Sequence, residues 1–240
     1  MGEMLSCSFV EPANDADRSG ETMPCVIYMH GNAGNKMEGL QYAEEVAAAG
    51  MNMCCFDFSG CGKSEGEWVT LGHKEKDDLK CLIEYLHEYK KVSIVGLWGR
   101  SMGAVASLLY MKENAGTVKC AVMDSGFSSL TKVIDSMAGM MGVPPEFVQM
   151  LFPMIESAVE EKANFKISEL NAEPAAKECV VPAFFLHASG DDFIIPDHSV
   201  KNHAAYGGSN KVIKYCEGDH NTPRPASMNT EIVGFLKANM

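Results

Sequence analysis

The 240 residues carry 32 acidic and 20 basic side chains, which gives a net charge of −12, and 46% of the residues are hydrophobic. This composition is ordinary for a globular protein, and the length suits one large α/β domain. No cluster of lysine and arginine occurs along the chain. The charge therefore argues against nucleic acid and against an anionic membrane surface as partners, because both bind basic protein surfaces.

The nine cysteines form an odd set without C-x-x-C spacing, and most of them lie inside apolar runs. This distribution is typical of buried thiols in a reducing compartment. The sequence has no signal-peptide pattern and no apolar run of about 18 residues, so we expect a cytoplasmic protein. The first six residues loosely match a myristoylation pattern, but the alternation of polar and apolar side chains over residues 4–9 favours an edge strand instead.

Strand and helix patterns alternate along the chain. An edge strand is predicted over residues 4–10, and a polar turn region over 11–22. An unbroken apolar run, typical of a strand covered on both faces, predicts a strand over 25–29. Further strands are predicted over 51–58, 92–98, 119–123, 183–187 and 212–215. Helical periodicity predicts helices over 36–49, 71–89 and 226–238, and another that begins at Met102. The alternation predicts an α/β fold, with a mostly parallel twisted sheet, helices on both faces and ligands at the carboxyl ends of the strands.

Residues 127–181 interrupt this alternation with helical periodicity and no convincing strand. The middle of the stretch is rich in methionine and aromatic side chains, and Pro144-Pro145 suits the first turn of a helix. We predict a small helical cap, inserted between two strands of a single domain over 1–240 and folded over the strand ends. An ordinary helix that packs against the core would show the same pattern, so this alternative stays open.

The sequence Gly99-Arg100-Ser101-Met102-Gly103 fits the G-x-S-x-G pattern of a nucleophile elbow. It lies between a predicted strand and a predicted helix, which is the context that the pattern requires. The glycines leave room for a strained turn that exposes the central hydroxyl at the end of the strand. We predict that Ser101 is a nucleophile and that the backbone N–H of Met102 stabilises an oxyanion.

A serine hydroxyl needs a base within hydrogen-bonding reach, and histidine has a suitable pKa. In hydrolases with an elbow, the acid and then the histidine follow the serine along the chain. Of the seven histidines, His220 lies in a turn-rich loop directly after the last predicted strand and before the last helix. His220 is therefore the predicted base.

The acid must orient the imidazole and stabilise its charged form. Asp191 and Asp192 follow the strand that ends at His187, and only one of two adjacent side chains can meet His220. We favour Asp191, with Asp192 and then Asp124, at the end of the 119–123 strand, as alternatives.

A second oxyanion donor is expected from the glycine-rich loop after the strand over 25–29. The predicted group is the backbone N–H of Asn32, which follows His30-Gly31. Because the oxyanion donor would be a main-chain N–H, the identity of the side chain at position 32 is not evidence for or against this role.

Residues 57–64 end like a phosphate-binding G-x-x-x-x-G-K-[ST] loop, but position 57 is Asp instead of the first glycine. Glu65 and Glu67 would also repel a phosphate, so a structural turn is the favoured interpretation. Metal binding has no better support, because His198 and His203 are five residues apart and do not share a helix face. We predict neither a cofactor nor a metal.

Together these residues resemble the α/β-hydrolase superfamily over nearly the whole chain. The resemblance rests on five motifs in the right order, at residues 30–32, 57–64, 99–103, 187–194 and 218–220. Among its branches, the chain most resembles the serine-aminopeptidase-like hydrolases, close to acyl-protein thioesterases and monoacylglycerol lipases. Those relatives usually carry more sequence before the first strand, so an edge strand or an N-terminal anchor is expected to be missing here.

The resemblance implies hydrolysis of an ester, a thioester or an amide through an acyl-enzyme. We predict a serine hydrolase that cleaves a carboxylic ester or thioester with a Ser101–His220–Asp191 triad. The methionine-rich stretch suggests an apolar acyl group, because methionine surfaces adapt to varied shapes. The alternatives are an amide-cleaving or peptide-cleaving enzyme of the aminopeptidase type, and a binding protein that keeps the fold without turnover.

Overall fold

The computed structural model describes residues 2–13 and 22–240. Within these residues one sheet contains seven strands: β1 (Cys7–Val10), β2 (Met23–Met29), β3 (Asn52–Phe56), β4 (Val92–Arg100), β5 (Val118–Asp124), β6 (Ala183–Ala188) and β7 (Lys211–Cys216). The strand order is β1-β3-β2-β4-β5-β6-β7. Only β1 is antiparallel to its neighbour, so the prediction of a mostly parallel sheet is confirmed.

The described residues also form the helices that connect these strands. They are α1 (Met37–Leu40), α2 (Ala43–Ala48), α3 (Glu75–Tyr89), α4 (Met102–Glu113), α5 (Leu130–Met140), α6 (Pro145–Ala163), α7 (Ala172–Ala176), α8 (Asp197–Ala205) and α9 (Ala226–Asn239), with a short 3₁₀ helix at Ile167–Glu169. The predicted turn region over 11–22 lies mostly outside the described residues.

Two apolar clusters lie on opposite faces of the sheet, because successive side chains of a strand point to opposite sides. On β2, Ile27 belongs to the cluster that includes α3 and α4. Its neighbour Tyr28 belongs to the cluster that includes α2 and α9. The predicted covering of both faces by helices is confirmed, and it explains why the central strands are apolar without alternation.

Two predicted helices differ from the observed ones. The helix expected over 36–49 divides into α1 and α2, because the N–H of Tyr42 donates to Gly39 O in a tighter turn than the α-helical one. The helix expected over 71–89 begins only at Glu75. Leu71 and Gly72 have φ values of 58° and 124°, which are not helical. The carboxylate of Glu75 accepts the N–H groups that this turn exposes.

Between β5 and β6 the chain forms helices and a single isolated bridge, Ser129 to Asn171. Helix α6 begins at Pro145, as expected from the proline pair, and buries only Ala163. The large apolar side chains exposed on α5, α6 and the turn between them are Met140, Met141, Val143, Phe147, Met150, Leu151, Met154 and Ile155. Helix α7, in contrast, is buried against α4. We propose that α5 and α6 are the projecting part of the cap predicted over 127–181.

No helix in the described part of the chain is long and apolar enough to cross a lipid bilayer.

Candidate active site

Ser101 lies at the turn between β4 and α4, with a φ of 50° and a ψ of −113°. This backbone conformation is rare for a residue with a side chain and is typical of strained functional turns. A Cβ at Gly99 would collide with the backbone of Gly103, and a Cβ at Gly103 would collide with the backbone of Met29. Both positions therefore require glycine.

The structure brings Ser101, His220 and Asp191 into one line of hydrogen bonds. His220 Nδ1 lies 2.6 Å from Asp191 Oδ2, and His220 Nε2 lies 3.1 Å from Ser101 Oγ. Because a carboxylate can only accept, Nδ1 carries the proton and Nε2 is free to accept the hydroxyl hydrogen of Ser101. Each of the three residues follows the carboxyl end of its strand, β4, β6 or β7.

The carboxylate of Asp191 is buried and held from several sides. Its Oδ1 accepts the N–H groups of Phe193 and Ile194, at 3.1 Å and 2.8 Å. Its Oδ2 also lies 3.3 Å from Nε2 of His187. Burial alone would raise the pKa of Asp191, but hydrogen bonds from His187 and His220 lower it well below its usual value. Asp191 is therefore ionised at neutral pH and can stabilise an imidazolium.

The other two predicted acids do not meet His220. Asp192 is exposed. Asp124 is buried at the end of β5, where Oδ2 accepts from Arg224 Nε at 2.8 Å and Oδ1 from Arg224 Nη2 at 2.9 Å. Of the three aspartates, only Asp191 contacts the imidazole.

The two predicted oxyanion donors flank Ser101. Met102 is the first residue of α4, so its N–H has no acceptor within the helix. Asn32 lies in the loop after β2, and a Cβ at the adjacent Gly31 would lie 3.5 Å from Ser101 Cβ. Buried His30 holds this loop, because its Nδ1 donates to Gly31 O at 2.7 Å while its Nε2 accepts from Phe58 N at 3.1 Å. Burial lowers the pKa of His30, which keeps this imidazole neutral.

Two cavities meet at Ser101 and share Asn32 and Phe193. The larger, of about 850 Å³, lies beneath α5 and α6. Its lining is almost entirely apolar and includes Phe127, Val133, Met137, Met154, Ile155 and Phe165. The smaller, of about 400 Å³ and here called the polar cavity, has a mixed lining, in which Glu38, Arg100, His220 and Asn221 supply charged and polar side chains beside apolar surface. The Ser101 hydroxyl therefore lies between a largely apolar cavity and one that has charged side chains.

An ion pair forms one wall of the polar cavity. Arg100 Nη1 donates to Glu38 Oε1 at 3.2 Å, and the Tyr28 hydroxyl donates to the same oxygen at 2.9 Å. Arg100 Nη2 donates to the backbone oxygen of His220 at 2.5 Å. This guanidinium therefore connects the wall of the cavity to the loop that carries the imidazole.

The loop over 57–64 is a structural turn, as favoured from the sequence. The carboxylate of Asp57 accepts the backbone N–H groups of Lys36 and Lys63, at 2.7 Å and 2.9 Å. An anion at this position would have to displace that carboxylate. Among the described residues, no group of three or more His, Cys, Asp or Glu side chains could hold a metal ion.

Residues 20–169 match the family model for serine aminopeptidase, S33. The chain belongs to this family. It is 24% identical over 176 residues to the uncharacterised protein YqkD of Bacillus subtilis, a match that covers 72% of this chain and 57% of YqkD. It is 30% identical over 120 residues to the protein bem46 of Schizosaccharomyces pombe, and this match covers 48% of this chain and 39% of bem46. The matches thus span between about two fifths and three fifths of these two relatives.

Solved structures share the fold of this S33 family member. The esterase Pf2001 of Pyrococcus furiosus superposes with a TM-score of 0.72 at 19% identity, over 99% of this chain and 94% of the esterase. A monoacylglycerol lipase from Paleococcus ferrophilus gives 0.69 at 17% identity, over all of both chains. The mouse α/β-hydrolase domain-containing protein 10 gives 0.68 at 16%, over 98% of this chain and 93% of the mouse protein. The predicted α/β-hydrolase fold and the predicted hydrolase branch are confirmed.

Three residues that contact Asp191 or the His220 loop were not singled out for such a role from the sequence: Arg100, His187 and Arg224. Two sequence signals could have drawn attention to them. Arg100 occupies the second position of the elbow motif, and His187 ends a strand four residues before Asp191. Arg224 had no such signal, because its partner Asp124 lies 100 residues away in the sequence.

Proposed function

We propose that this protein is a serine hydrolase that cleaves a carboxylic ester or thioester through an acyl-enzyme. The line of hydrogen bonds from Asp191 through His220 to Ser101, at the junction of two cavities, carries the proposal. The serine aminopeptidase family supports hydrolysis as the reaction class.

In the proposed mechanism, His220 Nε2 takes the proton of Ser101 as Oγ attacks the substrate carbonyl carbon. The N–H groups of Met102 and Asn32 stabilise the oxyanion of the tetrahedral intermediate. Collapse of this intermediate breaks the bond to the leaving oxygen or sulfur, which receives the proton from His220. A water molecule, deprotonated by the same imidazole, then attacks the acyl-enzyme, releases the acid and restores the Ser101 hydroxyl.

The two cavities suggest how the substrate lies. We propose that the apolar cavity takes the acyl group, since burial of an alkyl chain contributes about 0.8 kcal/mol per methylene. The cavity's volume of about 850 Å³ falls in the range of sites for drug-sized ligands. The polar cavity, with Glu38, Arg100 and Asn221, would then receive a small polar leaving group. The expected partner is a small molecule or an acyl substrate, with neither nucleic acid nor a membrane as partner.

A fluorophosphonate probe, which modifies activated serines, tests the proposed nucleophile. We expect labelling of the wild type and none of the Ser101→Ala variant, measured by intact mass. Ser107→Ala is a matched control, because Ser107 is buried in α4 and its hydroxyl donates within the helix to Gly103 O. An unlabelled wild type would instead support a binding protein that keeps the fold.

A series of p-nitrophenyl esters from acetyl to palmitoyl tests the acyl site. We expect kcat/KM to rise with chain length, because each added methylene enters the apolar cavity. Met137→Trp should shorten the preferred chain, since Met137 lines the cavity. Met141→Trp is the control, because Met141 is 76% exposed and outside the lining. A strict preference for acetyl in the wild type would contradict an acyl-chain site.

An amide-cleaving aminopeptidase is the second candidate, because the family model carries that description. Such an enzyme recognises the free α-ammonium group of its substrate, and a carboxylate side chain is the strongest acceptor for that group. The carboxylate in the polar cavity, Glu38, already accepts hydrogen bonds from Tyr28 and Arg100. Because it is occupied in this way, we favour ester or thioester cleavage over aminopeptidase activity. Turnover of aminoacyl p-nitroanilides faster than of matched esters would reverse this preference.

We also propose a cytoplasmic location. All nine cysteines are free thiols, and seven of them are buried. Burial raises the pKa of Cys120 and of Cys179 to about 12, so these thiols stay protonated and unreactive. Fractionation of cells that express the natural protein would test the location.

A further inference from the structure

The side chain of Arg224 uses all five of its N–H donors within the protein. Nε and Nη2 donate to the two carboxylate oxygens of Asp124, and Nη2 also donates to the Ser125 hydroxyl at 2.9 Å. Nη1 donates to the backbone oxygens of Asp219 and Thr222, at 3.2 Å and 3.0 Å. A guanidinium has five donors in a rigid plane, so this one can hold two chain segments in a set geometry.

The two segments differ in kind. Asp124 ends β5, a central strand whose hydrogen bonds to β4 and β6 make it rigid. Residues 217–223 between β7 and α9 contain no helix or strand, and they carry His220. The loop's own hydrogen bonds join Asp219 to Asn221 and Thr222. These bonds do not fasten the loop to β5. Arg224 and Arg100 bind the backbone oxygens of Asp219, His220 and Thr222, and so tie the loop to the ends of β4 and β5.

We propose that Arg224 is a positioning residue, which holds the His220 loop against the end of β5 so that the imidazole meets Ser101. This role rests on the proposed hydrolase function. Arg224 is buried and lines neither of the two cavities at Ser101, so it acts through the loop and does not touch a substrate. Asp124, one of the acids predicted from the sequence, anchors this guanidinium.

The decisive variant is the double substitution Asp124→Leu/Arg224→Met. Arg224→Met alone leaves a buried carboxylate without its partner, which destabilises the fold. Removing both charges relieves that penalty, because apolar pairs can replace buried ion pairs without loss of stability. The loop nevertheless stays released, since neither new side chain can bind the backbone oxygens of residues 219 and 222. We expect kcat for a p-nitrophenyl ester to fall about 100-fold, the size of effect that a misplaced catalytic group produces, with KM within about twofold.

Leu86→Ala is the control for general destabilisation, because Leu86 is buried in α3, away from both cavities. It should lower the melting temperature while kcat stays near that of the wild type. Arg224→Ala should also have a lowered kcat, and millimolar guanidinium should raise the kcat of this variant at least tenfold. The kcat of Leu86→Ala should not change when guanidinium is added. Wild-type kcat in the folded double variant would overturn the proposal.

Proton NMR can test the positioning role of Arg224 without a measurement of turnover, and so separately from the proposed hydrolase function. The His220 Nδ1 proton, in its 2.6 Å contact with Asp191, should give a low-field proton NMR signal that His220→Gln removes. The positioning role predicts loss of the signal in the double variant and its retention in Leu86→Ala. An inactive wild type with this pattern would reject the hydrolase function and keep the role of Arg224. An unchanged signal in the folded double variant would reject that role.

Discussion

Two buried aspartates, at the ends of the neighbouring strands β5 and β6, face the same C-terminal part of the chain. Asp124 is 2% exposed and binds Arg224, and Asp191 is 3% exposed and binds His220. The guanidinium has no free lone pair and can only donate, whereas the imidazole has an unprotonated nitrogen, Nε2, that faces the Ser101 hydroxyl. The two aspartates thus share their burial and their position close to the end of a strand, and they differ in their partners. The chemistry of the partner separates the proposed acid of the triad from a structural anchor.

Substitution of Asp191 should have the largest effect on turnover. Asp191→Asn keeps the shape of the side chain but favours the wrong tautomer of His220, so we expect kcat to fall by roughly 10⁴-fold. Asp192→Asn is the matched control and should leave kcat unchanged, because Asp192 is exposed and does not contact His220. Steady-state kinetics on a p-nitrophenyl ester measures both variants. Equal losses would contradict the proposed role of Asp191.

Substitution of Asp124 should affect stability more than turnover, which is the opposite of the result expected for Asp191. Asp124→Asn leaves a buried guanidinium without its charge partner, which costs on the order of 3–5 kcal/mol in the free energy of unfolding. Urea denaturation should show this loss, and it should exceed the loss for Asp191→Asn. The fall in kcat should be far smaller than for Asp191→Asn, about 10-fold, because Arg224 can still bind the loop. If Asp124→Asn proved the more damaging variant for kcat, the distinction between the two aspartates would fail.

The smallest effect concerns the pH dependence of stability. Because the pKa of Asp191 is lowered in the folded protein, its ionised form stabilises the fold above the unfolded pKa of about 4. This contribution is lost as the pH falls below that value towards the lower folded pKa. The wild type should therefore lose more stability than Asp191→Asn between about pH 5 and pH 3. The urea midpoints of both proteins at the two pH values measure this difference. An equal fall in midpoint for the wild type and for Asp191→Asn would contradict a hydrogen-bonded, ionised carboxylate at this position.

The sequence by itself determined the order of the elements and the family. The apolar runs of the central strands and the elbow motif are local patterns, set by burial on both faces and by the steric need for glycine around Ser101. Ser101 and His220 could be proposed because the order of the motifs along the chain places each of them after its own strand, whereas Asp191 could only be favoured over Asp192 and Asp124. The starts of the early helices were less predictable, since the Leu71-Gly72 turn depends on the side chain of Glu75.

Only the tertiary structure decided which aspartate meets the imidazole and what holds the loop that carries it. Asp124 pairs with Arg224 across 100 positions, and His220 meets Ser101 across 119. Contacts at such separations depend on how the sheet is ordered and twisted, which no local periodicity contains. The same holds for the apolar cavity, because its lining combines side chains of α5 and α6 with residues of the sheet loops. Composition could indicate methionine-rich helices, but their packing over Ser101 required the folded chain.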